Sequence, residues 1–212
     1  MRTKTLLLSA AVGVAGLVAA SAQTVYSVNS VGYINLSVPT GFSMIANQLD
    51  NGNGNTVADV LTVPDGTVVF KYNAQTAGYD NNTFLFGAWT DPNMTLNPGE
   101  GVFINNSSGN PIDLTFVGEV PQGDDSNQNV PAGFTIQSSV VPQAGGVGTV
   151  LAFPATDGDV VFKFNNGTGA YENFTFLFGG WTPSEPSVAV GESFFVNKAT
   201  ASDWNRDFSV NN

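Results

Sequence analysis

The sequence contains no cysteine and no histidine among its 212 residues. Without them the chain supplies no Ser-His-Asp triad, no thiolate nucleophile, no Cys/His zinc site, no disulfide and no acylated lipoprotein cysteine. Most enzyme chemistry is thereby excluded, and we expect a protein that is not an enzyme and uses no cofactor. Basic residues are also scarce, at six against 17 acidic ones. This imbalance argues against nucleic acid as a partner.

Charge is sparse overall, because charged residues make up 11% of the sequence against about 25% in typical soluble proteins. Short apolar runs bounded by Gly, Pro, Asn or Asp indicate strands. These predicted strands lie at 68–72, 83–86, 101–104 and 113–117. The helical candidate is a single turn over 56–61, capped by Thr56. We therefore predict an all-β fold of sandwich-like or barrel-like type.

The amino terminus has the pattern of a signal peptide. Two basic residues precede an apolar stretch that ends in Ala20-Ser21-Ala22, which fits the small-x-small cleavage rule. Removal of residues 1–22 leaves four basic and 17 acidic residues, a net charge of −13, and places the mature start at Gln23. No later segment has the length to cross a bilayer as a helix. We expect an exported protein of the periplasm, cell surface or extracellular space, not an integral membrane protein.

An internal repeat at an offset of 92 residues is the strongest pattern in the sequence. The matched segments are 65–73 with 157–165, 83–90 with 175–182, and 99–105 with 191–197. The first of these pairs is identical at seven of nine positions. Similarity at one fixed offset indicates two copies of one supersecondary plan. We predict a first repeat over 23–120, a linker or loop over 121–130 and a second repeat over 131–212, each of about 90 residues.

These motifs resemble a repeat of bacterial exported surface proteins whose pattern runs GWNLISxP, VxxVL, a V(W/F)xY strand and LxPGxGYWI. The chain reads GFSMIA at 41–46, VADVL at 57–61, VFKY at 69–72 and LNPGEGVFI at 96–104. Phe42 and Phe134 stand where the pattern has Trp, and Val190 and Ser193 stand where it has Pro and Gly. The resemblance covers nearly all of the chain after the signal. It implies an all-β module of mostly uncharacterised exported proteins and no catalytic residue.

Aromatic residues at equivalent places in the two repeats are candidates for stacking on sugar rings. The candidate carbohydrate contacts are Trp89, Trp181, Tyr79 and Tyr171. Packing in the core is the alternative for such residues. Phe84 and Phe86 are expected to share one face of a strand and Leu85 the other, so that burial on both sides is expected.

A short boundary strand occurs three times for two repeats. Tyr26-Ser27-Val28-Asn29 resembles Phe208-Ser209-Val210-Asn211, and Phe116 lies 92 residues before Phe208. An end strand without a partner in its own repeat is a candidate for self-association, because it can complete the sheet edge of a neighbouring molecule. The favoured alternative is that both end strands pair within their own molecule.

A glycosidase needs only two carboxylates, so the absence of histidine does not exclude this activity, and a glycosidase is the third candidate function. The candidates are Glu100, Glu192, Asp65, Asp157, Glu172, Asp124 and Asp125. Asp65 and Asp157 precede glycines at turns, while Glu100 and Glu192 stand at strand entries, so structural roles explain both pairs. The oxygen-rich loop 50–55 lacks the EF-hand spacing for calcium, and turn formation is the stronger interpretation.

Together these patterns predict an exported, non-catalytic structural or adhesive protein of the cell surface or extracellular matrix. Its expected partners are itself, other surface proteins or polysaccharide. Low charge density gives little electrostatic protection against edge pairing, which favours self-association. A carbohydrate-binding module is the alternative function.

Overall fold

The computed structural model describes residues 30–210, which are 49% strand and 4% helix. Every strand pairing in this range is antiparallel. The prediction of an all-β fold with sandwich-like sheets is confirmed. The predicted signal peptide, the segment 26–29 and Asn211 lie outside the described residues.

The strands are β1 (Val31–Val38), β2 (Gly41–Ala46), β3 (Val68–Asn73), β4 (Gly78–Leu85), β5 (Ala88–Trp89), β6 (Gly101–Asn106), β7 (Ile112–Glu119), β8 (Gln128–Val130), β9 (Gly133–Gln137), β10 (Gly145–Gly146), β11 (Val160–Asn165), β12 (Ala170–Leu177), β13 (Gly180–Thr182), β14 (Ser187–Val188), β15 (Phe194–Lys198) and β16 (Ser202–Trp204). The helical elements are α1 (Val57–Val60) and a 3-10 turn (Asp124–Ser126). As expected, Thr56 caps α1 by accepting a hydrogen bond from the Asp59 N–H at 3.3 Å.

Two five-stranded sheets with the same strand order form the frame of the molecule. The first sheet has the order β2-β6-β3-β4-β5, and the second sheet has the order β9-β15-β11-β12-β13. Corresponding pairs lie 92 residues apart: Val68 is opposite Thr83 in the first sheet, and Val160 is opposite Thr175 in the second. We call residues 30–120 the first half and residues 121–210 the second half.

A long ribbon covers the outer face of the first sheet. Strands β1 and β7 pair in continuous register from Val31 opposite Glu119 to Val38 opposite Ile112. Alternate residues of β7 point inward, and Ile112, Leu114 and Phe116 are buried. They pack with residues of the first sheet and α1 in one hydrophobic core.

The second sheet is covered by a much shorter ribbon, because β8 and β16 pair over only three residues. Trp204 of β16 is buried, its Nε1–H donates to the Leu151 carbonyl at 2.7 Å, and its ring lies 5.0 Å from that of Phe153. The same core holds an ion pair between Lys198 and Asp159 at 2.7 Å, with both side chains fully buried.

The predicted linker is more ordered than its composition indicates. Segment 121–130 contains the 3-10 turn and strand β8, and Ser126 within it is buried. Gln128 Nε2 donates to the Ser138 carbonyl at 2.7 Å, and Asn129 Nδ2 donates to Asp203 Oδ1 at 2.9 Å. These hydrogen bonds and the burial of Val130 in the second core hold the strand, so residues 128–130 form a strand within the predicted linker or loop.

The two halves meet through reciprocal contacts. The Ala46 N–H donates to the Gly191 carbonyl at 2.9 Å, and the Ser138 N–H donates to the Gly99 carbonyl at 2.9 Å. Ser138 lies 92 residues after Ala46, and Gly191 lies 92 residues after Gly99. The same contact is therefore made twice, as in the isologous interface of a symmetric dimer.

The centre of this interface is tightly packed and polar. Gly101 faces its counterpart Ser193 so closely that a Cβ at Gly101 would lie 2.4 Å from the Ser193 Cβ. Gln48 bridges the halves, because its Nε2 donates to the Ser139 carbonyl at 2.9 Å while its Oε1 accepts from the Gly191 N–H at 2.8 Å. Both features are buried.

Candidate contact surface

Each five-stranded sheet has one face on its own core and an aromatic face towards the other half. The aromatic face of the first sheet carries Phe42, Met44, Phe70, Tyr72, Tyr79 and Phe103, and that of the second carries Phe134, Ile136, Phe162, Phe164, Tyr171 and Phe195. Phe103 and Phe195 meet with ring centroids 6.1 Å apart. Reciprocal edge-on contacts flank them, at 5.2 Å between Phe103 and Phe164 and 5.1 Å between Phe195 and Tyr72.

The two aromatic faces overlap only in part and leave two open clefts. The first cleft, of about 410 Å³, is lined by Phe42, Phe70, Tyr79, Phe103, Phe164, Gly169 and Tyr171. The second cleft, of about 370 Å³, is lined by Tyr72, Phe134, Phe162, Tyr171 and Phe195. Each residue of the second cleft has a counterpart 92 positions away in the first. Within the described chain neither lining includes a charged residue.

Tyr79 lines the first cleft and Tyr171 lines both, and their rings lie 6.2 Å and 6.4 Å from that of Phe103. Burial raises the pKa of Tyr79 to about 12, and the neighbouring Tyr171 adds to the shift. Burial also raises the pKa of Tyr171. Both phenols therefore stay neutral at physiological pH, which keeps the clefts free of charge.

The four candidates for sugar stacking divide into two pairs. Tyr79 and Tyr171 line the clefts and are 42% and 44% exposed. Trp89 is only 7% exposed and belongs to the first core, where its ring lies 5.3 Å from that of Phe84. Trp181 packs half-buried against the second core. The tyrosines line the two clefts between the halves, while Trp89 lines a separate cleft of about 500 Å³ beside Phe84.

Phe86 and Phe178 project from the molecule at hairpin tips and are 96% and 97% exposed. Each begins a two-residue turn, since Leu85 pairs with Ala88 in the first half and the second half repeats this geometry. Phe86 has φ 53° and Phe178 has φ 54°, and each is followed by a glycine with positive φ. This pattern is typical of type I′ turns, in which Asn-Gly is the preferred sequence.

Aspartate carboxylates stabilise these turns by accepting hydrogen bonds from their backbone N–H groups. Asp65 accepts hydrogen bonds from the backbone N–H of Phe86 at 3.0 Å and of Gly87 at 3.1 Å. Asp157 accepts the corresponding bond from Gly179 at 3.2 Å. Asp65 and Asp157 lie in turns of their own, as expected, and their carboxylates in addition fix the base of each exposed phenylalanine.

The expectation that Phe86 shares a buried face with Phe84 is wrong. Strand β4 ends at Leu85, so the alternation of faces stops there and the turn directs Phe86 to solvent. The available signal was a Phe-Gly pair flanked by two alternating runs. It is a weak signal, because type I′ turns favour Asn or Asp before the glycine.

The repeated glutamates form reciprocal ion pairs on the surface. Glu100 lies 2.9 Å from Lys71 and also accepts from the Asn97 N–H at 2.8 Å. Glu192 lies 3.1 Å from Lys163. These contacts match the structural role proposed for both glutamates at strand entries. Across residues 30–210, no group of three or more acidic residues is placed to hold a metal ion.

The oxygen-rich loop 50–55 uses its side chains for its own turns. Asp50 Oδ1 accepts from the Gly52 N–H at 2.9 Å and from Asn55 Nδ2 at 3.0 Å. Asn51 Oδ1 accepts from the Asn53 N–H at 2.8 Å and from the Asn55 N–H at 3.0 Å. Turn formation accounts for these oxygens, in line with the stronger sequence interpretation.

The carboxyl-terminal candidate strand contacts its own molecule. The Gly123 N–H donates to the Phe208 carbonyl at 2.8 Å, and the Val210 N–H donates to Gln122 Oε1 at 2.9 Å. Up to Val210, this end of the chain therefore pairs within its own molecule, in line with the favoured alternative.

No family model, no curated protein and no solved structure matches this chain. None of the helices in the described part of the chain is long and apolar enough to span a bilayer.

Proposed function

We propose that the protein is an exported, non-catalytic structural or adhesive protein of the cell surface or extracellular matrix. It consists of two tandem copies of one β module and acts by apolar contact through its two hairpin tips. The near-complete exposure of Phe86 and Phe178 on strained, carboxylate-locked turns carries this proposal.

Neither phenylalanine helps the molecule to fold. A side chain that stays exposed gains no free energy from burial. A non-glycine residue at φ near 53° is strained, at a cost on the order of 1–3 kcal/mol. Strained residues and exposed apolar groups are associated with functional sites. Here the same combination occurs at two equivalent places, which supports contact as the purpose of both.

The reciprocal geometry supports the tandem-repeat part of the proposal. The two sheets share one strand order, and the interface bonds, clefts and tips recur at the offset of 92 residues. The motif resemblance to repeats of exported surface proteins points the same way and stays a prediction.

Expression of the full chain in a secreting host tests this function. The double variant Phe86→Asn/Phe178→Asn keeps the turns, since Asn-Gly suits type I′ geometry. The matched control, Val31→Asn/Val117→Asn, changes two exposed apolar residues on the outer ribbon. We expect the natural chain and the control to be exported and retained in the surface fraction, while the tip variant is released into the medium. Equal retention of all three would contradict the proposal.

Carbohydrate binding is the second candidate, favoured by the open aromatic clefts with Tyr79 and Tyr171 in their walls. It predicts binding on a glycan array that Tyr79→Ala/Tyr171→Ala abolishes. The tip variant Phe86→Asn/Phe178→Asn is expected to leave such binding intact, which separates this candidate from the first.

A further inference from the structure

We propose that the partner of the hairpin tips is a second copy of this chain, whose aromatic clefts receive Phe86 and Phe178. This inference rests on the proposed contact function and names its partner. Each chain then offers two tips and two clefts to its neighbours.

The clefts have the chemistry of a site for an aromatic side chain. Their walls are Phe and Tyr rings, which favour edge-on and offset contacts with another ring. Their volumes of about 410 and 370 Å³ leave room for a phenyl group. A sugar would need several hydrogen-bonding groups. In the linings of both clefts, as far as the chain is described, the tyrosine hydroxyls are the only polar side-chain groups.

Neutral contact surfaces allow two acidic copies to meet. The full sequence carries a net charge of −11, and −13 remains after the predicted signal, so two copies repel each other except where their contact excludes charge. The cleft walls are uncharged, and the tip sequence Leu85-Phe86-Gly87-Ala88 is uncharged as well. A basic partner would find no carboxylate in the cleft walls.

The arrangement of tips and clefts allows open assembly. When the tip of one copy enters the cleft of the next, the contact is heterologous and propagates to chains or rings, whereas two copies that exchange tips form a closed dimer. One docked phenyl ring is a weak contact, but two tips and two clefts per copy act together and raise the overall affinity. Loss of both tips is therefore expected to weaken assembly strongly.

Sedimentation velocity of the secreted protein tests this inference. We expect concentration-dependent oligomers for the natural chain. Association is expected to weaken at least tenfold in the tip variant Phe86→Asn/Phe178→Asn and in the cleft variant Phe42→Ser/Phe134→Ser. Because tip and cleft belong to one contact, combining the two variants should add no further loss. Additive losses would place them at independent sites and overturn the inference.

Engineered cysteines give a test that does not depend on stability, because the chain has no cysteine of its own. Ala88→Cys marks a tip and Thr168→Cys marks the exposed rim beside Gly169 of the first cleft. Ser37→Cys, exposed on β1, is the matched control. We expect oxidation of mixed proteins to join Ala88→Cys with Thr168→Cys at least tenfold more than with Ser37→Cys. Equal yields would overturn self-docking.

Failure of this inference is distinguishable from failure of the proposed function. A monomeric natural chain whose surface retention still requires Phe86 and Phe178 refutes self-docking and leaves the contact function standing. Flotation with phosphatidylcholine vesicles that is lost in the tip variant would assign the tips to a lipid surface and also refute self-docking. Surface retention that is unaffected by the tip variant refutes the contact function itself.

Discussion

Asp159 and Lys198 in the second half stand where the first half has Thr67 and Asn106, at the same offset of 92 residues. All four side chains are buried. In the first half neutral groups serve the surrounding backbone, and Asn106 Nδ2 donates to the Val38 carbonyl at 3.1 Å. In the second half a charged pair at 2.7 Å takes this place. Equivalent positions in the two halves are thus occupied by a neutral polar pair in one half and by an ion pair in the other.

A second difference concerns the turn that precedes β3 and β11. Thr56 caps α1 from within its own turn in the first half. At the corresponding place in the second half, Glu185 from a distant loop accepts bonds from the N–H groups of Gly148 and Thr149, both at 2.6 Å. These bonds outweigh the effect of burial and lower the pKa of Glu185. A tertiary contact here replaces a local cap.

The halves therefore differ in several structural features and agree at their tips and clefts. They have different buried polar pairs, different caps and covering ribbons of different length. Their tips agree in residue type, exposure and φ, at Phe86 and Phe178, and their clefts agree in lining. Such a pattern is expected where the tips carry the function and the cores only have to fold.

Breaking the buried ion pair is expected to give the largest effect on stability. Asp159→Thr or Lys198→Asn alone leaves one buried charge without its partner, which costs about 3–5 kcal/mol. The double variant Asp159→Thr/Lys198→Asn installs the residues of the first half and should recover most of the loss. Urea unfolding midpoints measure all three. A double variant as unstable as either single variant would show that the neutral pair of the first half cannot replace the ion pair of the second half.

Lowering the pH is expected to destabilise the natural chain more than the double variant Asp159→Thr/Lys198→Asn, which lacks the buried ion pair. Burial alone raises the pKa of Asp159, but hydrogen bonds from Lys198 Nζ and from the N–H of Ala199 and Thr156 outweigh it and lower the pKa below 3.8. The contribution of the pair is thus complete above about pH 4 and is lost as the pH falls through the lower folded-state pKa.

Urea midpoints measured from about pH 6 down to about pH 2 test this sign, because stability follows the protons bound by each state. The natural chain should lose more stability than Asp159→Thr/Lys198→Asn over the acid end of this range. Parallel curves for the two proteins would contradict the assignment.

Replacing Gln48, which bridges the two halves, is expected to have an intermediate effect on stability. The second half has Val140 at the corresponding position. Gln48→Val therefore makes the interface more symmetric but leaves the Gly191 N–H without its partner and removes one donor from the Ser139 carbonyl, at a cost of about 2 kcal/mol. The exposed Gln75→Val is the control and should change the urea midpoint little. Equal midpoints for both variants would contradict the bridging role.

Local patterns in the sequence predict most of the strands. The runs at 101–104 and 113–117 fall within β6 and β7, because alternation and flanking glycine or proline residues are local properties. Strand β8 is missed, because its polar residues are held by hydrogen bonds to β16 and Ser138. The burial of Lys198 is missed as well, since it depends on Asp159, which is distant in sequence.

The contact surface is predicted only in part. Tyr79 and Tyr171 are recognisable as a repeated aromatic pair, and they do line the clefts. The clefts themselves arise from how far the two aromatic faces overlap, which depends on the close approach of Gly101 and Ser193. Phe86 is missed because its exposure depends on where the strand ends, a matter of one residue.

The central claim is that Phe86 and Phe178 serve contact and not folding, and the unfolding free energy of Phe86→Asn/Phe178→Asn tests it most directly. Asparagine tolerates positive φ better than phenylalanine, and neither native ring is buried. We expect the variant to match or exceed the natural chain, by up to about 1 kcal/mol per turn. A loss of stability in this variant would show that the two rings support the fold and would contradict the account.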